Sequence, residues 1–174
     1  NGYSLCTGAD SRLCVVKIST MEVQQEIKDV FCGPVTAICW VEFDGRKDEG
    51  FAYGCCNGAI HVYKWSAIAA RYVFVSMIDA HPAQVQAVEF NTRFRRIASI
   101  GDGTPKVWKL DSQGHLHPII DNFPRSQYIG RSIHFVDDGA SVVATYLESH
   151  EVCVVSGEVQ RHVAHFREQD LLHH

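Results

Sequence analysis

The sequence predicts an all-β fold in which one sheet-forming unit is repeated about four times. Short apolar runs recur at residues 13–16, 60–63, 105–108 and 152–155, and their last residues are 47, 45 and 47 positions apart. Tight polar turns such as Asn57-Gly58 separate neighbouring runs, and helical periodicity is absent until the tail. A period of about 40 to 50 residues built from short strands is typical of a β-propeller, whose blades are four-stranded antiparallel sheets.

The first two units have approximate limits 3–28 and 35–78. Unit one is partial: it lacks a first strand and offers strands at 4–8, 13–18 and 23–27. Unit two is predicted to have strands at 35–43, 51–55, 60–65 and 72–78, with a polar loop at 44–50. Asn57-Gly58 predicts a hairpin turn because both residues tolerate positive φ.

The third and fourth units span about 81–121 and 128–166. In the third, alternating residues predict strands at 85–90, 96–100, 106–110 and 115–120. In the fourth, strands are expected at 129–136, 142–147 and 151–155, with a turn at 137–139. Residues 160–172 fit either an amphipathic helix or a fourth strand.

The composition argues against several classes of protein. The chain has 174 residues, a net charge of −4 and no charge run, which argues against a nucleic-acid binder that neutralises phosphates through a basic face. No run approaches the roughly 18 apolar residues of a membrane helix, and no secretory signal begins the chain. Seven cysteines, mostly in strand-like runs, indicate reduced thiols in an intracellular protein, cytoplasmic or nuclear.

One unit carries recognisable residues. Ala80-His81 near its start and D-G-T-P-K-V-W-K, residues 102–109, near its end resemble the Gly-His and Trp-Asp marks of the WD-repeat β-propeller family. The likeness extends over residues 3–156 through spacing, but the marks are specific in this unit alone. Even here Ala80 replaces the glycine and Lys109 the aspartate.

The resemblance implies a buried hydrogen-bond network that ties the strands of a blade together. Its members would be His81, Ser99, Asp102 and Trp108. A buried indole N–H needs an acceptor, a hydroxyl can accept and donate onward, and a carboxylate can orient an imidazole. Serine, histidine and aspartate are also the residues of a hydrolytic triad, but Ser99 lies inside a predicted strand without a nucleophile elbow.

The resemblance also implies a partner-binding face, where first strands begin and the second-to-third turns project. The residues of this sequence that match it include Thr36, Gln84, Gln86, Arg131 and Glu148. Other proteins are the expected partners, of a kind the sequence does not name.

No cofactor and no metal site is expected. The pairs His115/His117 and His162/His165 each put two rings on one side of an element, but neither has a third ligand at a recognised spacing.

The length of the chain is too short for a complete ring of blades. At a step near 46 residues, the chain holds fewer than the seven blades usual in this family, so we expect a piece of a longer protein or a half that closes with a second copy. The favoured function is a non-catalytic protein–protein interaction scaffold. The alternatives are the regulatory propeller of a larger multidomain protein, such as a signalling ATPase, and, less favoured, a propeller hydrolase.

Overall fold

A computed structural model describes residues 2–7, 11–28, 32–121, 123, 125–148 and 152–156. Within these residues the chain forms four antiparallel sheets, numbered 1 to 4, whose strands follow one another in chain order. Sheet 1 contains β1 (Tyr3–Thr7), β2 (Arg12–Lys17) and β3 (Glu22–Lys28). Sheet 2 contains β4 (Val35–Phe43), β5 (Arg46–Cys55), β6 (Ala59–Ser66) and β7 (Arg71–Asp79).

Sheet 3 contains β8 (Val85–Asn91), β9 (Arg96–Gly101), β10 (Thr104–Leu110) and β11 (Leu116–Ile120). Sheet 4 contains β12 (Gly130–Val136), β13 (Ser141–Tyr146) and β14 (Val152–Ser156), and a 3-10 turn, Asp137–Gly139, connects β12 to β13. The all-β prediction is confirmed for the described residues. The expectation for residues 160–172 lies outside them, and no described helix is long and apolar enough to cross a membrane.

One predicted loop was wrong. Residues 44–50 were expected to form a polar loop, but β5 begins at Arg46 and pairs it with Phe43. Asp44 and Gly45 make the whole turn, with φ of 50° and 82°. An Asp-Gly pair favours this two-residue hairpin turn, and the charged residues after it can extend a strand whose end lies in solvent.

The apolar core lies between consecutive sheets. Leu13 and Val15 of sheet 1 pack with Phe51 and Tyr53 of β5. Ala52, on the opposite face of β5, joins a cluster with sheet 3. Successive side chains of a strand point to opposite faces, so residues 50–55 of β5, which are all buried, must lie between two neighbouring sheets. Sheet 3 is in the same position, with Ala98 and Ile100 packed against sheet 4.

Irregularities in strand pairing recur at the period of the sequence. In each of the first three units, the third strand (β2, β6 or β10) changes register against the strand that follows it. The shifts occur at Val15/Val16, Val62/Tyr63 and Val107/Trp108. The first strands β4, β8 and β12 have bulges of their own, in which one residue has no partner in the register of the second strand. These residues are Thr36, Gln86 and Arg131. Bulges at matching positions show that the units are alike in backbone geometry as well as in spacing.

A backbone contact between sheets also recurs. The carbonyl of Gly58, in the turn between β5 and β6, accepts hydrogen bonds from the N–H groups of Ala80 and His81 at 3.1 and 3.0 Å. Forty-five residues later, the carbonyl of Gly103 accepts one from Ser126 at 3.0 Å. The turn of one sheet thereby holds the segment that leads into the next.

Gly58→Ala is expected to destabilise the chain more than Gly45→Ala. Both glycines have positive φ, 92° and 82°, so alanine at either site costs about 1–2 kcal/mol. A Cβ at Gly58 would also collide with the His81 carbonyl, whereas the space around Gly45 is open. We expect a further loss of about 1–3 kcal/mol at Gly58, measured by urea unfolding. Equal losses in the two variants would contradict a tight contact between sheets 2 and 3.

Candidate functional site

The expected partner-binding residues lie at one end of the sheets. There the segment that opens a first strand meets the turn between the second and third strands. The N–H of Cys56 donates to the carbonyl of Pro34 at 3.0 Å, and the N–H of Leu147 to that of Ile129 at 2.8 Å. In sheet 3 the pairing of Val85 with Gly101 closes the same end, as the pairing of Val35 with Cys55 does in sheet 2. We call this end of sheets 2, 3 and 4 the turn face.

Three of the expected residues are the bulged residues of the first strands. Thr36, Gln86 and Arg131 each lie between two residues that pair normally with the second strand. A bulge re-aims the side chain of the extra residue and excludes it from the regular ladder. The three side chains therefore have equivalent positions on the turn face.

These equivalent positions have different surroundings. The Thr36 hydroxyl donates a hydrogen bond to sheet 3, since its oxygen lies 2.6 Å from the carbonyl of Val85. The Gly54 carbonyl of its own sheet is 3.2 Å away. Thr36 is therefore committed to the contact between sheets. Gln86 is half-buried, and its buried Oε1 has no hydrogen-bond partner among the described residues. Arg131 is exposed.

The other two expected residues are open to solvent. Gln84 is exposed just before β8, and Glu148 is exposed in the turn after β13 with a φ of 57°. Together with Gln86 and Arg131 they give the turn face two amides, a cation and an anion. Such mixed groups suit hydrogen bonds and ion pairs with another protein.

Three of the four predicted network residues are in direct contact. The indole N–H of Trp108, on β10, donates to the Ser99 hydroxyl of β9 at 2.8 Å. His81, which precedes β8, has its Nε2 2.9 Å from the same Ser99 oxygen. Their exposed fractions are 3%, 0% and 5%. Ser99 therefore links the segment that enters sheet 3 to its second and third strands.

The structure does not bring the Asp102 carboxylate into hydrogen bonding with this network. It accepts a hydrogen bond from Nη2 of Arg125 at 2.7 Å, and the Asp102 carbonyl accepts one from Nε of the same guanidinium at 3.2 Å. Asp102 thereby connects the β9–β10 turn to the segment before sheet 4. Its charge still acts on His81 through space.

Burial keeps His81 neutral. Loss of hydration on burial and, second to it, the nearby Lys106 ammonium together lower the pKa of His81 from its usual 6.5 to about 4, against the opposing effects of the Asp102 charge and of the Gly101 backbone. Lys106 lies close because its Nζ donates to the carbonyl of Ala80 at 2.7 Å. A neutral imidazole leaves one ring nitrogen as an acceptor, as a bond from the Ser99 hydroxyl requires.

Sheet 2 holds a different polar cluster in the corresponding region. Cys32 precedes its first strand, Cys55 ends its second and His61 lies on its third, and all three side chains are buried. The Cys32 sulfur is 2.9 Å from Nε2 of His61, and one ligand atom from each residue falls within 4.8 Å of the others. The Tyr53 ring stacks on His61 with centroids 4.8 Å apart.

Sequence reasoning missed this cluster because no motif links its members. The metal-ligand candidates predicted from the sequence were pairs of histidines. The cluster instead contains two thiols and one histidine, which come from three separate elements of the fold. The one signal in the sequence was that most of its cysteines lie in strand-like runs, where reduced thiols are commonly buried. Residues that meet through a fold of this kind cannot be found from spacing without the strand register.

The predicted histidine pairs have other surroundings. His117 Nε2 lies 2.9 Å, and His115 Nδ1 3.5 Å, from the carboxylate of Asp111, which caps the turn before β11. The bond with His117 and backbone N–H groups from the turn hold the pKa of Asp111 well below its usual range. His162 and His165 lie outside the described residues.

An open cleft of about 650 Å³ lies at the opposite end of sheets 3 and 4. It is formed where β8 and β12 end, and the exposed ion pair between Arg93 and Asp138, at 2.9 Å, lines it. This end is well separated along the strands from the turn face and offers a matched control surface.

Neither the comparison with protein-family models nor the search of curated proteins finds a match to this chain.

The network around Ser99 is expected to behave as one unit. Ser99→Ala leaves the Trp108 N–H and the His81 Nε2 without their buried partner, at about 1–3 kcal/mol for each group. Trp108→Phe removes the indole N–H. The double variant should therefore lose less stability than the sum of the single losses, by about 0.5–3 kcal/mol. Urea unfolding of the four proteins measures this coupling, and strictly additive losses would contradict the shared hydroxyl.

Stability is expected to fall in acid through His81. The folded pKa of about 4 lies below the usual 6.5, so the contribution is complete above pH 6.5 and is lost as the pH falls toward 4, where the unfolded chain binds a proton that the folded chain excludes. The loss reaches about 3 kcal/mol. His81→Gln removes this term, so the difference in unfolding free energy between wild type and variant should shrink over that range. Parallel pH profiles would show that His81 is not protected.

Proposed function

We propose that this chain is a run of WD-repeat β-propeller blades that serves as a non-catalytic scaffold for binding other proteins through the turn face. The observation that carries the proposal is the bulged residue at the same place in three successive first strands. Each bulge lies beside the second-to-third turn of its sheet, so three units place one side chain each at the same end of the sheets. Thr36 bonds back to sheet 3, which leaves Gln86 and Arg131 for a partner.

Features of the backbone that recur at the period of the sequence support the blade assignment. The third-strand bulges are 47 and 45 residues apart, and the turn-to-segment hydrogen bonds recur after 45. Equal contacts at equal intervals are expected when each unit takes the same position relative to its neighbour, as blades do around an axis. The contacts among His81, Ser99 and Trp108 agree with the family resemblance, while the pairing of Asp102 with Arg125 departs from it.

Burial disfavours the hydrolase alternative. The Ser99 side chain is 0% exposed, and its hydroxyl is engaged by both the indole and the imidazole. A nucleophile must reach a substrate carbonyl, which a buried oxygen with two partners does not. The polar, open turn face instead offers a surface on which a protein partner can dock, and further blades or a second copy would complete the ring.

A variant of the turn face tests the proposal. Gln86→Ala, Arg131→Glu and Glu148→Lys together remove one amide and reverse two exposed charges. The matched control, Arg93→Glu with Asp138→Lys, reverses the charges of an exposed pair at the opposite end. Each protein is immobilised, and the captured proteins are quantified by mass spectrometry from the same extract.

We expect the turn-face variant to lose about tenfold or more of the specific capture, because the few residues that dominate an interface cost about 2 kcal/mol or more each and because reversed charges repel a complementary partner. The control variant should capture the same proteins as the wild type. Both variants should keep the wild-type circular dichroism spectrum and unfolding midpoint. Equal capture by all three proteins, or an equal loss in both variants, would contradict a binding role for the turn face.

A further inference from the structure

We propose that Cys32, Cys55 and His61 form a binding site for one thiophilic divalent cation, with zinc the expected ion. This inference is independent of the scaffold proposal, since all three side chains are buried between sheets 1 and 2, beneath the end of sheet 2 that contributes to the turn face, and a partner docked there would not touch them. It assigns the three residues a shared chemical role that their separate positions in the sequence do not suggest.

The ligand geometry fits a tetrahedral ion. Zinc binds sulfur at about 2.3 Å and imidazole nitrogen at about 2.0–2.1 Å. Tetrahedral angles then place two sulfurs about 3.8 Å apart, and a sulfur and a nitrogen about 3.6 Å apart. The three ligand atoms already lie within 4.8 Å of one another, and the Cys32 sulfur is 2.9 Å from the His61 nitrogen. Adjustments of about 1 Å would bring all three to bonding distance of one ion.

The donor set selects the class of ion. Thiolate sulfur prefers soft or borderline cations, and a site of two sulfurs and one nitrogen suits zinc, whereas calcium and magnesium require oxygen ligands. Two thiolates and one divalent cation sum to zero charge. A neutral assembly is compatible with ligand side chains that are 5%, 0% and 3% exposed, where an isolated charge would be costly.

The ligands also come from three elements that a metal could fasten together. Cys32 belongs to the segment before β4, Cys55 to the end of β5 and His61 to β6. His81, Ser99 and Trp108 connect the corresponding parts of sheet 3 through hydrogen bonds. The cation would do the same for sheet 2 through coordinate bonds from three protein ligands.

Cobalt provides the test, because its complexes with thiolates absorb visibly and report tetrahedral geometry. The reduced 174-residue chain, freed of metal by a chelator, is titrated with Co²⁺ and then with Zn²⁺. We expect thiolate-to-cobalt charge transfer that saturates at about one ion per chain, displacement by zinc, and a higher unfolding midpoint with zinc.

Variants locate the ion. Cys32→Ser, Cys55→Ser and His61→Ala should each weaken binding about 100-fold or more, since even residues that only orient metal ligands are worth 10–100-fold. Cys39→Ala is the matched control: burial raises the pKa of the Cys39 thiol to about 12, and Cys39 packs on the opposite side of sheet 2. It should retain full binding. His115→Ala with His117→Ala should also retain it.

A measurement on the wild-type chain tests the proposal even if the variants fail to fold. Bound zinc should slow the alkylation of Cys32 and Cys55 about tenfold or more, mapped by mass spectrometry, while the exposed Cys6 reacts at an unchanged rate. The proposal is overturned if no charge-transfer band forms, if the pair His115/His117 proves to hold the ion, or if zinc leaves the alkylation of Cys32 and Cys55 unchanged.

Discussion

The structure depends on the close backbone approach between the tight turn of one sheet and the segment entering the next. Gly58 and Gly103 each present a carbonyl to N–H groups 22 or 23 residues further along. Neither position has room for a Cβ, and both have positive φ, so glycine meets two requirements at once. The contact fixes where the following first strand begins, and with it the register in which the two apolar faces meet. The cores between the sheets follow from that placement.

The contact leaves a polar region beside each turn that side chains must fill. Sheet 3 does so with an indole, a hydroxyl and an imidazole in hydrogen-bond contact. Sheet 2 has tyrosine instead of tryptophan at the matching position, Tyr63, and its cluster contains two thiols and an imidazole. Both sets join the incoming segment to the second and third strands. The same architectural need is therefore met by different chemistry in neighbouring units, which explains why the residues beside the turns differ between units while the spacing persists.

Strand positions were predictable because each depends on local pattern: period-two burial and turns containing glycine or asparagine. That is why β4 and β8 were predicted to begin at the residues where they do, Val35 and Val85. The loop expected at 44–50 was wrong because charge was taken as a sign of irregular structure, while the Asp44-Gly45 turn allowed the strands to continue. The contacts of Asp102 with Arg125, and the meeting of Cys32 with His61, depend on how segments from different units pack. Neither residue spacing nor residue type carries that information.

The bulges explain how a repeated backbone can present a surface that is not repeated. A regular strand residue is constrained by its partner across the ladder and by the core beneath it. A bulged residue is released from that pairing, so its side chain can vary while the strand around it stays the same. Thr36, Gln86 and Arg131 show the result: one hydroxyl turned back to lock two sheets together, one half-buried amide and one exposed guanidinium. The ladder and the turns supply stability, while the bulged residues between them differ from unit to unit. A surface built in this way can acquire a binding specificity without disturbing the sheets that hold it.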